Sequence, residues 1–586
     1  MSVSNAAIAA VFEEIADILE IEGANPYRVR AYRNAARTVS AYGTELAPLL
    51  ARGATLPKMP GIGEDLAGKI AEIAATGSCA LRERLHREVP AAIVSLLQVA
   101  GIGPKRVKLL YHDLGIETPE QLLEAARAGR VQRLHGFGAR TEARLMEALQ
   151  RQLAPGRRYP LADVAAQGEA LAAALRGCRG LRSITVCGSV RRMRDTVGDL
   201  DLLAVTRTPA TVMRRFLGLP AVGEVLTRGP TRATVMLRSG LQADLRAIAP
   251  EAEGAALVYF TGSKAHNIAI RRRAQKRRLK ISEYGVFRGA RRIAGATEAE
   301  VYAAIGLPPI PPELREDRGE IAAAAADQLP RLIERADLRG DLHVHTIGSD
   351  GTADLEAMAQ AARRAGLQYI AITDHSRSTR VAHGLDEARL LRQLDAIDAL
   401  NARLDGVVLL KGIEVDILAD GRLDLPDRVL GRLDIVVGAV HAHFDLPRRR
   451  QLLRLQRALD HRHFHVLAHP SCRLIGTREP LDVDISAVIR SAAQRGCGLE
   501  LNAQPQRMDL LDTHCREAQA QGVPISIASD AHGPRDFDWL HYGVGQARRG
   551  WLRREDVVNT RTLDELRQWL GARSSQASSE HRRRGP

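Results

Sequence analysis

The sequence predicts a multidomain α/β chain with a helical N-terminal region, a strand-bearing middle and a C-terminal barrel of alternating strands and helices. Three observations carry this reading. Apolar residues recur at helical spacing through the first 150 or so residues, around a Gly-x-Gly turn that appears three times. From residue 181 the pattern becomes strand-like. Beyond a Pro-rich stretch at 308–320, short apolar runs such as Tyr369–Thr373, Val407–Lys411 and Ile435–Val440 alternate with helical segments. With 586 residues, 45% hydrophobic and 26% charged, the chain has the composition of folded globular protein and the length of roughly three to five domains.

The helical region opens with an amphipathic stretch, Ala6 to Ile21, and a second from Val29 to Tyr42 after the break at Asn25-Pro26-Tyr27. Met59-Pro60-Gly61-Ile62-Gly63, Val99-Ala100-Gly101-Ile102-Gly103 and Leu134-His135-Gly136-Phe137-Gly138 then each precede a polar or basic helical stretch. A Gly-x-Gly turn lets the backbone approach a phosphate, and the amides of the following helix start point at the anion. Lys105 and Arg106, just after Gly103, add positive charge. One such turn means little, but three in succession favour a grip on the DNA sugar-phosphate backbone and resemble helix-hairpin-helix motifs. Charge distribution agrees. Residues 1–315 carry 46 Lys and Arg against 30 Asp and Glu, whereas residues 316–586 carry 38 against 39. Histidine runs the other way, with 14 of 18 after residue 340. A basic half beside a neutral, histidine-rich half implies a polyanion grip and a metal site.

In the middle region, Cys187-Gly188-Ser189-Val190-Arg191-Arg192 ends a strand at a turn where amides, a hydroxyl and Arg192 can hold a triphosphate. Thr196-Val197-Gly198-Asp199-Leu200-Asp201-Leu202 follows. Residues i and i+2 of a strand share a face, so Asp199 and Asp201 point together while Leu200 and Leu202 enter the core. A hairpin at Ser239-Gly240 leads to a strand with Gln242, Asp244 and Arg246 on one face. If it pairs beside the first, Asp244 supplies a third carboxylate. Three carboxylates beside a phosphate holder suit two Mg²⁺ ions roughly 3.5–4 Å apart, as phosphoryl transfer requires.

The C-terminal half has His343 and His345 as a His-x-His pair, then Asp350, His375, Glu414, His441, His469, Asp530 and His532, most of them at apparent strand ends. Ligands recurring at the carboxyl ends of successive strand–helix units describe the catalytic face of a barrel. Imidazole and carboxylate without thiolate suit Mn²⁺, Zn²⁺ or Fe²⁺. His443 lies two residues from His441 and competes for the same role. His461, His463 and His465 also cluster, but their context predicts surface positions.

These motifs, with Tyr259-Phe260-Thr261-Gly262-Ser263-Lys264-Ala265-His266-Asn267 and Ser282-Glu283-Tyr284-Gly285-Val286-Phe287, resemble the family X DNA polymerases of the bacterial and archaeal type, which carry a C-terminal PHP (polymerase and histidinol phosphatase) domain. The resemblance runs to about residue 570. It implies Asp199, Asp201 and Asp244 as the catalytic, metal-binding aspartates of a nucleotidyltransferase palm. Gly188, Ser189, Arg192 and Gly198 match the nucleotide-holding turn. Tyr259 and Phe260 lie against the sugar, Gly262 is a further implied nucleotide contact, and Asn267 and Arg271 lie near the nascent base pair and template. Gly61, Gly63, Lys69, Gly101, Gly103 and Lys105 are the implied DNA contacts. Lys69 aligns with the Schiff-base lysine of vertebrate relatives, although a phosphate contact is the preferred reading. The nine C-terminal residues match the PHP ligand set, with His441 favoured over His443, and imply a distorted (β/α)₇ barrel holding up to three divalent ions. The family usually has glycine where this chain has Met193.

The expected organisation is a lyase-like helical domain at 1–80, a helix-hairpin-helix domain at 81–153, the palm at 154–250 and a nascent-base-pair domain at 251–315. A linker at 316–337, the PHP domain at 338–572 and a disordered tail at 573–586 complete it. The expected function is gap-filling DNA synthesis in repair by a monomer, on gapped or primed DNA with deoxynucleoside triphosphates. A metal-dependent 3′→5′ exonuclease accompanies it, and abasic-site endonuclease is a further expectation. Alternatives are a repair nuclease whose polymerase half only binds DNA, and a non-catalytic DNA-binding scaffold. No long uncharged apolar run and no export-type leader at Met1–Ala10 are present, and the six cysteines form no C-x-x-C pair. These features predict a cytoplasmic, nucleoid-associated protein with no membrane span.

Overall fold

The computed structural model describes residues 5–572 except 41, 43–45, 52–54, 60, 89–92, 94, 95, 97, 98, 100, 101, 135 and 154–157. Gly101 and the tail at 573–586 lie outside the described residues. The chain divides into two compact units, 1–157 and 158–586.

The first unit is helical: α1 (Asn5–Glu22), α2 (Pro26–Ser40), α3 (Leu46–Ala51), α4 (Glu64–Thr76), α5 (Ala80–Glu88), α6 (Pro104–Leu114), α7 (Pro119–Arg127) and α8 (Ala139–Leu153). The stripe Ile8, Phe12, Ile15 and Leu19 of α1 is buried, as the spacing requires. Helix starts follow local chemistry: Pro104 opens α6, and Thr118 forms a capping box with Gln121 at α7. The three Gly-x-Gly turns share one design. In each, the amide of the central apolar residue donates back three residues, Ile62 to Met59, Ile102 to Val99 and Phe137 to Leu134. Gly61 and Gly136 have φ of 75° and 85°, a region that disfavours side chains. Gly63 and Gly103 then cap α4 and α6, leaving the first amides of each helix without intrahelical partners.

The second unit begins with α9 (Leu161–Arg176) against a five-stranded sheet of β1 (Leu181–Val186), β2 (Asp199–Thr206), β3 (Val222–Arg228), β4 (Arg232–Leu237) and β5 (Gln242–Ile248). Its order is β1-β2-β5-β4-β3, with β2 and β5 parallel and the other pairs antiparallel. One helical turn, α10 (Gly188–Arg191), follows β1. Next come α11 (Glu253–Thr261) and α12 (Lys264–Lys276). A three-stranded sheet of β6 (Lys280–Ser282), β7 (Gly285–Arg288) and β8 (Arg291–Ala294) leads to α13 (Glu298–Ala304).

The segment predicted as a linker, 316–337, is not an open connection. It contains α14 (Glu320–Ala325), buries Glu320, Leu332 and Ile333, and ties Glu320 to His266 Nδ1 at 2.6 Å. Sequence that follows a proline-rich stretch reads as exposed chain, but this segment finds tertiary partners.

Seven parallel strands follow in chain order: β9 (Gly340–Val344), β10 (Tyr369–Ile372), β11 (Val408–Asp416), β12 (Ile435–Ala439), β13 (Val466–Leu467), β14 (Gly498–Asn502) and β15 (Ile525–Ala528). A bridge between Val344 and Ala531 links the last strand's end to the first. β10, β12 and β15 are buried at every residue, as expected of parallel strands covered on both faces. Ile475, Met508 and Tyr542, all from the barrel region, pack into the hydrophobic core of the five-stranded sheet.

Candidate active sites

The register of the palm sheet decides its site. Parallel pairing sets Asp201 opposite Asp244 and Asp199 opposite Gln242, while Leu200 and Leu202 are buried behind them. Asp244 is held by Thr234 Oγ1 at 2.5 Å and Gln242 Nε2 at 2.9 Å, with Arg232 at 3.5 Å. Burial, then the charges of Asp199 and Asp244, push the Asp201 carboxyl up to about 7. That mutual repulsion is the electrostatic signature of a site that welcomes cations. Gly188, at φ 60°, lies so close to Asp201 that any side chain there would collide with the carboxylate. The glycine therefore brings the turn and the acidic strand together.

Tyr259 and Phe260 lie on α11 and Asn267 and Arg271 on α12, and Arg192 reaches the end of α11 through the Thr261 carbonyl. The Tyr259 and Phe260 rings meet edge to face at 5.0 Å, and Arg271 lies over Tyr259 at 5.1 Å. Asn267 Nδ2 donates to the carbonyls of Tyr259 and Gly262. Arg192 is less free than its predicted role suggests. It is buried, pairs with Glu316 at 2.9 Å and donates to the Thr261 carbonyl. Met193 adopts φ 56°, the conformation for which the usual glycine is suited, and packs in the palm core instead.

Among the predicted DNA contacts, Gly61, Gly63, Gly103 and Lys105 are exposed. Lys69 lines a cleft of about 1010 Å³ and forms an ion pair with Asp65. Burial opposes its charge, but Asp65 and Tyr32 outweigh that and raise its pKa.

In the barrel all nine predicted ligands converge. Three groups have ligand atoms within 4.8 Å of one another: His345, Asp350, His375 and His532; His343, His345 and Asp530; His375, Glu414 and His441. His469 Nε2 lies 3.0 Å from Glu414 Oε1. The palm aspartates do not reach this degree of clustering. Burial disfavours the charged imidazoles, but Glu414 and Asp350 outweigh it at His375 and raise it to about 10. His441 is raised to about 9 in the same way by Glu414 and Asp416. His345, buried between His532 and His375, falls to about 4. The facing imidazoles hold Glu414 and Asp530 well below the carboxylate range despite burial.

His343 Nε2, both ring nitrogens of His345, His375 Nδ1, His441 Nε2, His469 Nδ1 and Glu414 Oε2 are buried without hydrogen-bond partners. Orphaned donors and acceptors are costly in a protein interior, and their clustering at a cleft of about 660 Å³, whose lining includes His375, Glu414 and His441, fits a divalent-metal centre.

Several residues that shape this site were not anticipated. Glu500 on β14 bonds His343 Nδ1 at 2.6 Å and the His469 amide at 2.7 Å. Asp416 bonds His441 Nδ1 at 2.9 Å, and Arg507 approaches Asp530 to 3.2 Å. Asp416 shares a strand face with Glu414, two residues away, so alternation could have found it. His443 is exposed with φ 58° and belongs to none of the three ligand groups. His465, predicted at the surface, is buried, where its Nδ1 accepts from the Val436 amide. It sits between β12 and β14 because the strand it precedes is central to the barrel.

The fold and the two sites define a class: a nucleotidyltransferase palm joined to a PHP-type metal barrel behind helix-hairpin-helix modules. Family models agree, matching a helix-hairpin-helix domain at 3–79, a SAM-like helix-hairpin-helix tandem at 93–151, a DNA polymerase beta thumb at 256–316 and a PHP domain at 341–504. The DNA polymerase/3′-5′ exonuclease PolX of Bacillus subtilis (strain 168) is 37% identical over 567 residues, covering 96% of this chain and 98% of that protein. The chain belongs to the PolX family of DNA polymerase/3′-5′ exonucleases. A probable phosphatase of Syntrophotalea carbinolica is 29% identical over 248 residues, covering 39% of this chain and 95% of that protein. A ternary-complex structure of Leishmania infantum polymerase beta aligns with 38% of this chain and 98% of that one, at 23% identity and a TM-score of 0.27. Among the described residues, no helix is long and apolar enough to cross a membrane.

Proposed function

We propose that this chain fills short gaps in DNA during repair, using Asp199, Asp201 and Asp244 with Mg²⁺ for synthesis and the barrel residues with Mn²⁺, Zn²⁺ or Fe²⁺ for 3′→5′ exonuclease action. The observation that carries the synthesis reading is the parallel register of β2 and β5, which sets Asp201 against Asp244 beside the Gly188 turn. Bound divalent ions would activate the attacking oxygen and neutralise developing phosphate charge at either site. The chain's own residues do the rest. Ser189, Arg192 and the amides at Gly188 and Gly198 orient the triphosphate, and Tyr259 and Phe260 set the sugar. Gly262 shapes the turn that holds Asn267, and Asn267 and Arg271 face the nascent pair. In the barrel, Glu500 and Asp416 fix the orientation of His343 and His441 through their Nδ1 atoms.

Gly61, Gly63, Gly101, Gly103 and Lys105 hold the DNA backbone without reading sequence. Lys69, kept as an ammonium by Asp65, fits a phosphate contact better than a Schiff base, which needs a neutral amine. Both residue sets come from one chain, which supports action as a monomer, and DNA as substrate supports work in the cytoplasm at the nucleoid.

Primer extension across a one-nucleotide gap, run beside exonuclease digestion, tests this reading with Asp199→Ala and His343→Ala. Each substitution is expected to abolish one activity and spare the other. A parent chain that shows no extension would leave the palm as a DNA-binding module only, a parent with neither activity would make the chain a scaffold, and extension that survives Asp199→Ala would remove Asp199 from the synthesis site.

A further inference from the structure

The turn from Arg192 to Asp195 connects the Gly188-Ser189 turn to the acidic strand, and residues of the barrel region hold both of its ends. At one end, Arg549 of α15 (Leu540–Arg549) donates from Nη1 to the Arg192 carbonyl at 2.8 Å. The same guanidinium reaches Glu316 at 3.0 Å and Asp512 at 2.7 Å. Glu316 in turn pairs with Arg192 Nε, so Arg549 grips the residue's backbone directly and its side chain through a shared carboxylate. Arg549 is 5% exposed, which makes these hydrogen bonds hard for water to replace. At the other end, Asp195 pairs with Arg473 Nη1 at 2.8 Å. Between them Met193 stands at φ 56°, and its side chain fills the space a side chain at Gly545 would need. A non-glycine residue persists in that conformation only where its surroundings over-determine it.

We propose that Arg549 is a positioning residue for nucleotide addition: the barrel pre-sets the triphosphate turn of the palm before nucleotide binds. A turn whose amides and hydroxyl must meet three phosphates loses affinity if it has to be ordered on binding, and an external brace removes that cost. Arg473 extends the same brace toward the nuclease. Its Nε donates to the Arg507 carbonyl at 2.7 Å, and Arg507 is the residue beside Asp530. Among the described residues, the hydrogen-bond partners of Arg549 (Arg192, Glu316 and Asp512) lie outside the lining of the nuclease cleft, so its loss separates the two activities.

The inference rests on the reading of Gly188–Arg192 as the triphosphate holder, which Ser189→Ala tests independently. The experiment is steady-state single-nucleotide gap filling with the full chain, measuring KM for the nucleotide and kcat for Arg549→Ala, Arg549→Lys and Ser189→Ala, with exonuclease rate as the fold control. Arg549→Ala is expected to raise KM about tenfold, the scale of a lost charged hydrogen bond, with exonuclease within about twofold of the parent. Arg549→Lys is expected to fall between, because one ammonium cannot span all three partners. An unchanged KM in Arg549→Ala overturns the proposal. If that variant loses exonuclease through misfolding, a parental KM in Arg549→Lys overturns it instead. An unchanged KM in Ser189→Ala is a different failure, that of the turn itself as the nucleotide site.

Discussion

The two candidate sites gather their proposed metal ligands with opposite electrostatics. The barrel mixes six imidazoles with three carboxylates, groups of opposite charge that attract one another, and eight of the nine come within 4.8 Å in three overlapping groups. The palm offers three carboxylates, and burial, then their mutual repulsion, raises Asp201. Only Asp244 is strapped by neutral donors, Thr234 and Gln242. The barrel's ligand set can neutralise itself before metal arrives, whereas the palm trio, placed by the sheet register, keeps a repulsion that cations relieve. The palm's favourable charge pairs are Arg232 with Asp244, Arg191 and Arg315 with Glu298, and Arg192 with Glu316.

That contrast yields graded expectations. Burial opposes the Glu298 charge, but Arg191 and Arg315 outweigh it and hold the group down at about 2. Because the folded value lies below the unfolded one, the stabilisation is present above about pH 4.5 and is lost as pH falls toward 2. It is worth at most about 3 kcal/mol. Acid unfolding of Glu298→Gln should lack this increment, and a parental acid profile would remove Glu298 from the account. In the barrel, Glu500→Gln is expected to lower metal affinity roughly 10–100-fold while leaving extension intact. Equal metal content after dialysis would show that His343 needs no orienting partner. The smallest effect concerns Lys69. Borohydride trapping on an incised abasic substrate should give no Lys69-dependent adduct, and an adduct lost in Lys69→Ala would reverse that reading.

Much of this was legible in the chain because strand alternation is strict. Asp199 and Asp201, alternating with Leu200 and Leu202, declare a face, and His343 and His345 do the same. The supporting residues were harder to read. Glu500 lies between Leu499 and Leu501 in a strand buried at every residue, and its partners are about 30 and 160 residues away. Met193 reads as a departure from glycine until Gly545, far along the chain, provides the notch that takes its side chain. The 316–337 segment reads as a linker because composition cannot announce that Glu320 will meet His266. Local pattern reveals which face a residue takes. It does not reveal which distant element will cover that face.

The most direct measurement is Mn²⁺ binding by calorimetry to metal-stripped protein, with and without gapped DNA and nucleotide. The barrel ions should bind without nucleotide and vanish in His343→Ala. The palm ions should bind tightly only once the triphosphate is present and vanish in Asp201→Ala. Palm ions that bind equally tightly with no nucleotide would contradict the claim that the two sites assemble by opposite electrostatics.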